Sequence, residues 1–569
     1  MRGPIPMAFH RTDHRRLPRV PAFENLEPRT LFAAIGNVFH TTATLPEATE
    51  GAAVAVVGNE AIFAGGSTTS GYAQVNIYNA ATAQWSAARL SRARPDITAL
   101  AVDDEALFAG GQPGIDTSSI VDIYNASTGA WSAGNLSVGR IDMAATTVGN
   151  LAIFAGGETA ATNLASTVTN AVDFYDAIDG KWFTGSLSQA RSGIAAASVG
   201  DLALFAGGQG DEKDGVTQYS SVVDIYNTKT GRWSTATLSQ ARTGIDALTV
   251  GNTVLFAGGS AATGLSTAVD IYNSTTGHWS TATLPSAQAL QPAVVGDRAF
   301  FFFGSTVEIY DSTTGKWSSE PLSPSESAAL ANPSESAVDS DIVLGGGATQ
   351  NASIDTNAAC IYDTSNGRAY TTTLSQARSA ITAATVDSTA LFAGGVVGDS
   401  GSGDSSAVDL FTPADLAGTV SLPRGSSVPV SLTNNSTSAL PAPDSVAVYA
   451  SATGVFDDTA VLLGSSRVNT TLPPGATEQL SIPIAIPRSL HAGSYHLLAA
   501  AGPPGQLVEF AAQRRLLVVG AGGVVNAAPS HAAVFVPVIL PRLSAFSTMA
   551  IGSDSLFGDA SRVEISGEA

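Results

Sequence analysis

The stretch Val223-Asp-Ile-Tyr-Asn-Thr-Lys-Thr-Gly-Arg-Trp-Ser-Thr-Ala-Thr-Leu-Ser-Gln-Ala-Arg242 decides the fold. β-Branched and aromatic residues on either side of a Thr-Gly turn read as two short strands. The string returns along the chain. Val-Asp-Ile-Tyr-Asn stands again at 121–125 and 269–273. The Trp slot holds all six tryptophans, Trp85, Trp131, Trp182, Trp233, Trp279 and Trp317, and a seventh unit offers Tyr370, shifted by one place. Upstream, an apolar run ends in paired glycines: Gly65-Gly66, Gly110-Gly111, Gly156-Gly157, Gly207-Gly208, Gly258-Gly259, Gly345-Gly346 and Gly394-Gly395, with a degenerate copy at Gly304. From Gly65 to Gly394 the mean spacing is 47 residues over seven intervals.

Each unit reads as four strands, and no helical period runs through residues 35–413. A four-stranded sheet cannot cover both of its faces, so such units stack on their neighbours. The period and strand number are those of a β-propeller blade. The tryptophans are the largest side chains available to fill the gaps between blades. Glycines lack Cβ and let another backbone come close. Eight copies of the first three strands are present but only seven of the fourth. His40-Thr-Thr-Ala-Thr-Leu-Pro46 matches Trp279-Ser-Thr-Ala-Thr-Leu-Pro285 at five of seven places, so the N-terminal strand is expected to complete the last blade. Eight blades is the expected number and seven the alternative, because unit six (297–317) is degenerate. Closing the ring removes exposed sheet edges.

The paired glycines, the spaced Tyr and Trp and the Thr-Gly turn together resemble the kelch repeat. That resemblance implies a propeller whose loops bind a ligand. Arg94, Arg140, Arg191, Arg242 and Arg378 recur in the loop before the first strand. In kelch-type adaptors the matching arginines face the channel mouth and grip acidic peptides, so the resemblance implies a positive rim here. Alternatively, each arginine pairs with a carboxylate of a neighbouring blade. Asp122, Asp173, Asp224, Asp270, Glu308 and Asp409 hold one position of the third strand and read as parts that hold each blade together.

Composition narrows the function. The 569 residues carry a formal net charge of −21, with 44% hydrophobic and only 13% charged residues. An acidic chain with few lysines is a poor nucleic-acid binder. Cys360 is the single cysteine, which excludes an intrachain disulfide and a Cys-based zinc site. It precedes Ile361-Tyr362 in a strand and reads as a buried small residue. Of seven histidines only His40 and His278 fall in the repeats, and no His-Glu-x-x-His occurs. Galactose oxidase shares the kelch propeller, but its copper chemistry needs two His, a Tyr and a Tyr–Cys crosslink. Neither a Gly-x-Ser-x-Gly elbow nor a phosphate-binding Walker loop is present. Asn273-Ser-Thr-Thr-Gly-His-Trp279 is only a distant likeness of a sialidase Asp-box. No catalytic constellation and no cofactor are expected. Asp211-Glu-Lys-Asp214 and Asp399–Asp404 leave calcium open, without an EF-hand spacing.

The ends differ from the repeats. Residues 1–34 hold six arginines and are Pro-rich, without a secretory apolar core. Phe23-Glu-Asn-Leu-Glu-Pro-Arg-Thr-Leu-Phe-Ala-Ala34 resembles the LEPR-XLL segment of exported bacterial proteins, which implies export to the cell surface or medium. The segment itself is expected to be disordered. Residues 414–520 show seven short strand signals, from Val428–Leu432 to Leu507–Ala511 and Arg515–Val519, and read as a β-sandwich. Pro429-Val-Ser-Leu-Thr-Asn-Asn435, Val448-Tyr-Ala-Ser451 and Gly493-Ser-Tyr-His-Leu-Leu498 resemble the CARDB family of Ig-like domains. Residues 521–569 are expected to form a flexible tail. No apolar run is long enough for a membrane helix. The favoured function is an exported kelch-repeat binding or cell-surface protein, probing protein or glycan ligands as a monomer. The alternatives are an oxidase-like or sialidase-like carbohydrate-active enzyme, or a purely structural envelope component.

Overall fold

In a computed structural model, the described residues are 38–527 apart from 67–71, 160–166, 288–289, 329–332, 349–354, 399–402, 414–415, 436–444, 453–459, 469–470, 488–489, 492, 503–507 and 520–524. The expected targeting segment 1–34 and most of the expected tail lie outside them. The protein is all-β. Among the described residues, eight four-stranded antiparallel sheets follow one another and are numbered here in chain order. Sheets 1 to 7 span 53–89, 97–135, 144–186, 195–237, 246–283, 290–321 and 334–373; sheet 8 joins 382–413 to Val38–Thr44.

Sheet 4 shows the plan. Its strands are Ala195–Val199, Leu202–Ala206, Val222–Asn227 and Arg232–Thr237. The first pair is joined by the two-residue turn Gly200-Asp201, whose left-handed Gly200 (φ 56°) suits a tight hairpin. The third strand is buried at Val223, Asp224, Ile225 and Tyr226, whereas the fourth is largely exposed. Ser, Thr and long polar residues therefore dress the outer strand.

First strands of neighbouring sheets touch in order, and the first strand of sheet 8 touches that of sheet 1. Eight apolar clusters lie between successive sheets, the last between sheets 8 and 1. Val148, Ile153, Val172 and Phe174 of sheet 3, for instance, meet Ala203, Phe205, Tyr226 and Trp233 of sheet 4. Tyr226 and Trp233 are paired across their strands with ring centroids 5.0 Å apart. This closed cycle is compatible with a β-propeller.

The opening strand pairs with Ala407–Pro413 as expected, with His40 opposite Phe411 where sheets 1 to 6 set Trp opposite Tyr. His40 stacks on Phe411 at 4.5 Å, and its Nε2 lies 2.7 Å from Asp409 Oδ1. In sheet 7 the glycine pair is displaced by one from the sequence reading. Gly346 and Gly347 carry left-handed φ values of 71° and 98°, while Gly345 ends the strand. The close approach expected of the paired glycines is present, for instance, at Gly208, where a Cβ would lie 2.6 Å from the Ser192 carbonyl oxygen.

Beyond residue 415, two sheets share one core. Leu416–Val420, Ser427–Asn434 and Thr477–Pro483 form the first. Val461–Ser466, Ser445–Ser451, Gly493–Gly502, Val508–Val519 and Val525–Ala527 form the second, in that order. Val428, Val430 and Leu432 of one face Val446, Val448 and Leu497 of the other. Two departures from the sequence reading appear. The signals at 507–511 and 515–519 belong to one continuous strand, and Val525–Ala527 adds a strand inside the expected tail.

Candidate functional site

The five repeated arginines do not form a solvent-facing rim. Arg94, Arg140, Arg191, Arg242 and Arg378 are at most 1% exposed. Each pairs with the aspartate on the third strand of the sheet its own loop leads into, not with a neighbouring sheet. Arg94 meets Asp122 at 2.8 Å, Arg140 meets Asp173 at 2.7 Å and Arg242 meets Asp270 at 2.8 Å. Arg191 and Arg378 close on Asp224 and Asp409 in the same way. Other guanidinium nitrogens reach backbone oxygens at the end of the second strand: Arg94 Nε donates to Gly110 at 2.6 Å and Nη2 to Phe108 at 2.8 Å, whereas the buried Nε of Arg140, Arg191, Arg242 and Arg378 has no hydrogen-bond partner. Burial pushes the guanidinium pKa down at Arg94, Arg140, Arg191 and Arg378, and the paired aspartate opposes it.

The carboxylate's other oxygen explains the rest of the motif. Asp122, Asp173, Asp224, Asp270 and Asp409 accept the backbone N–H of Ser91, Ser137, Ser188, Ser239 and Ser375. Thus Leu-Ser-x-x-Arg is a clasp. Its leucine is buried, its serine amide caps the aspartate, and its arginine neutralises that aspartate while binding the strand-end carbonyls.

Three sheets replace the clasp. Sheet 1 uses neutral groups. Asn76 accepts the Glu47 N–H, and Gln74 and Thr49 donate to the Gly65 oxygen at 2.8 and 3.1 Å. Sheet 6 has Glu308, half-buried, accepting from Ser319 Oγ. Sheet 7 puts Cys360 in the aspartate's place, and Glu326 in the arginine's place caps the short helix Pro324–Ala328 through the Ser323 N–H. Burial pushes the Cys360 thiol up to about 12, which leaves it unreactive. Among the described residues, no three His, Cys, Asp or Glu are grouped to hold a metal ion.

The clasps support a distinct surface. Loops between second and third strands form small hairpins in sheets 3, 4, 5 and 8, the longest being Gln209–Lys213 with Val216–Tyr219. The residue after each arginine bridges the hairpin base, at Ile141–Glu158, Ser192–Gln209, Thr243–Ser260 and Ser379–Val396. Hairpins and clasp loops therefore share one end of the sheets. Adjacent loops also touch: Asp211 accepts the Val168 N–H and Asp355 the Gly398 N–H. Among the described residues, six large apolar side chains of the eight sheets and their loops are exposed, and four of them stand on these second-to-third-strand loops: Tyr72, Ile115, Val216 and Leu265.

No family model and no curated protein matches this chain. Its site is thus defined by its own residues, and their charge is one-sided. With the clasp arginines sealed against aspartates, acids prevail at this end. Partial burial, with Glu158 and Asp96 nearby, raises the Asp142 carboxyl. On the first strands, burial raises Asp246 to about 6 and, together with Asp246, raises Glu335 to about 8. Glu335 Oε2 has no hydrogen-bond partner.

The opposite end carries a different irregularity. Glu60 accepts the Tyr124 hydroxyl at 2.9 Å, and Glu105 that of Tyr175 at 2.7 Å, each across a seam between sheets. Asp341 holds that place in sheet 7, but the matching residue of sheet 8 is Phe411, which has no hydroxyl. Asp341 is 5% exposed and its Oδ1 is unpartnered. Burial, with Asp363 and Asp339 nearby, pushes its carboxyl from 3.8 up to about 7. A raised folded value means that this group's stabilising contribution is complete below about pH 4 and is lost as pH rises through about 7. Phe411→Tyr should stabilise the protein by about 1 kcal/mol at pH 8 and scarcely at pH 4. Urea unfolding at both pH values checks this, and an equal shift at both would contradict it.

Proposed function

We propose that this chain is an exported, non-enzymatic recognition protein. Its eight sheets are the blades of a kelch-type β-propeller, clasped by its own N-terminal strand, and its C-terminal pair of sheets is a CARDB-like, Ig-type spacer. Export rests on the likeness of residues 23–34 to the LEPR-XLL segment. The observation that carries the recognition reading is the hairpin end. Four large apolar side chains are held out in solvent there, three of them (Ile115, Val216 and Leu265) on loops of sheets clasped by buried ion pairs. Exposed apolar groups gathered at one end of a rigid support are the usual mark of an interaction surface.

The test is a screen of the purified full chain against glycan and peptide arrays, in parallel with Val216→Ser/Leu265→Ser. Specific signals lost in the double variant are expected. Signals that persist unchanged in the variant, or no signals on either array, would refute recognition by this end.

A further inference from the structure

Resting on that recognition reading, we propose that the hairpin end docks a basic, apolar-studded segment of a partner protein. The positive rim implied by the arginine repeat is inverted in the folded molecule, because each clasp arginine is spent on a buried aspartate. What reaches solvent there is acidic. Asp96, Asp116, Asp211, Glu212 and Asp214 are all exposed. The exposed cations at this end are Arg92, Lys213 and Arg89, and Arg89 is occupied by Glu47 at 2.9 Å. At the opposite end, Lys181, Lys229, Arg232, Lys316 and Arg368 are exposed beside the turns between third and fourth strands, interspersed with exposed Asp103, Asp104, Asp201, Asp297, Asp339 and Asp387.

At the hairpin end the apolar tips stand directly among exposed acids. Val216 is 61% exposed and follows Asp211–Asp214 on the same hairpin, while Leu265 tips the hairpin of the next sheet at 58%. Alternating acid and apolar groups complement a segment that alternates Lys or Arg with aliphatic residues. Opposite charge steers the encounter and burial of the tips holds it. An acidic peptide, the ligand implied by an arginine rim, is repelled. A polycationic glycan would satisfy the charge but leave the four apolar side chains in water.

The experiment is fluorescence anisotropy with the full chain and a labelled (Lys-Leu)n peptide, set against (Lys-Ser)n, (Glu-Leu)n and chitosan oligomers. Tightest binding of (Lys-Leu)n, weakened by added salt, is expected. Asp211→Lys/Asp214→Lys and Val216→Ser/Leu265→Ser should each weaken it by about ten-fold, whereas Ile178→Ser/Asp179→Lys at the other end should change it by less than about two-fold. Thermal unfolding confirms that each variant is folded. Equal loss in the Ile178/Asp179 variant, or binding of (Lys-Ser)n, (Glu-Leu)n or chitosan as tight as that of (Lys-Leu)n, overturns the proposal. If the arrays reveal another ligand sensitive to Val216 and Leu265 while (Lys-Leu)n stays unbound, this inference falls and the recognition reading stands.

Discussion

A chain beginning at residue 45 will be less stable than one beginning at residue 38 by at least about 4 kcal/mol. Val38 is 3% exposed, and its burial accounts for about 2 kcal/mol. The contact of His40 Nε2 with the buried Asp409 accounts for about 2 more, being a hydrogen bond to a charged group. Loss of the strand also bares the edge of Ala407–Pro413, which then offers seven residues of unpaired backbone to another chain. Concentration-dependent association should accompany the loss. A synthetic peptide of residues 36–46 should reverse both effects. Denaturant unfolding with sedimentation is the measurement, and coincident midpoints for the two chains would show that the opening strand does not hold the cycle closed.

The second large effect lies in the clasps. Arg191→Thr should cost about 3–5 kcal/mol, because Asp224 is then a buried carboxylate without its cation. The chain itself supplies the remedy. Sheet 1 satisfies the strand-end Gly65 oxygen with Thr49 and Gln74, and Asn76 accepts the Glu47 N–H in the aspartate's place, with no net charge. Moving that set into sheet 4, as Arg191→Thr/Val222→Gln/Asp224→Asn, should recover most of the loss. The comparison is made by urea unfolding of parent, single and triple variants. If the single substitution is silent, or the triple variant is weaker than the single, the clasp is not the joint described.

These arginines also mark where the sequence stops being readable. The period, the glycine pairs, the Trp slot and the closing strand are visible because each is a pattern of side-chain type along a strand. A loop arginine carries no such pattern, and its partner lies 28 to 33 residues downstream on another strand. The signal that could have paired them is joint absence. Thr49, Gln288 and Glu326 replace the arginine in the three units where Asn76, Glu308 and Cys360 replace the aspartate. Val508–Val519 was opaque for a different reason. Irregular register shifts its pairing with Gly493–Gly502 twice, which breaks the alternation by which a single strand is recognised. Apolar tips such as Ile115 and Leu265 sit in loops of variable length, where sequence gives exposure no periodicity to follow.

Sheet 8 also fixes how the molecule answers a pull. Val38 lies opposite Pro413, so the segment before the first strand and the segment after the last depart from the same end of one antiparallel pair. Tension between those two segments falls on that terminal rung alone, then on the next, because antiparallel bonds run across the strands. The seam unzips residue by residue at low force instead of resisting as a sheared whole, and the mechanical weak point is the joint that completes the fold.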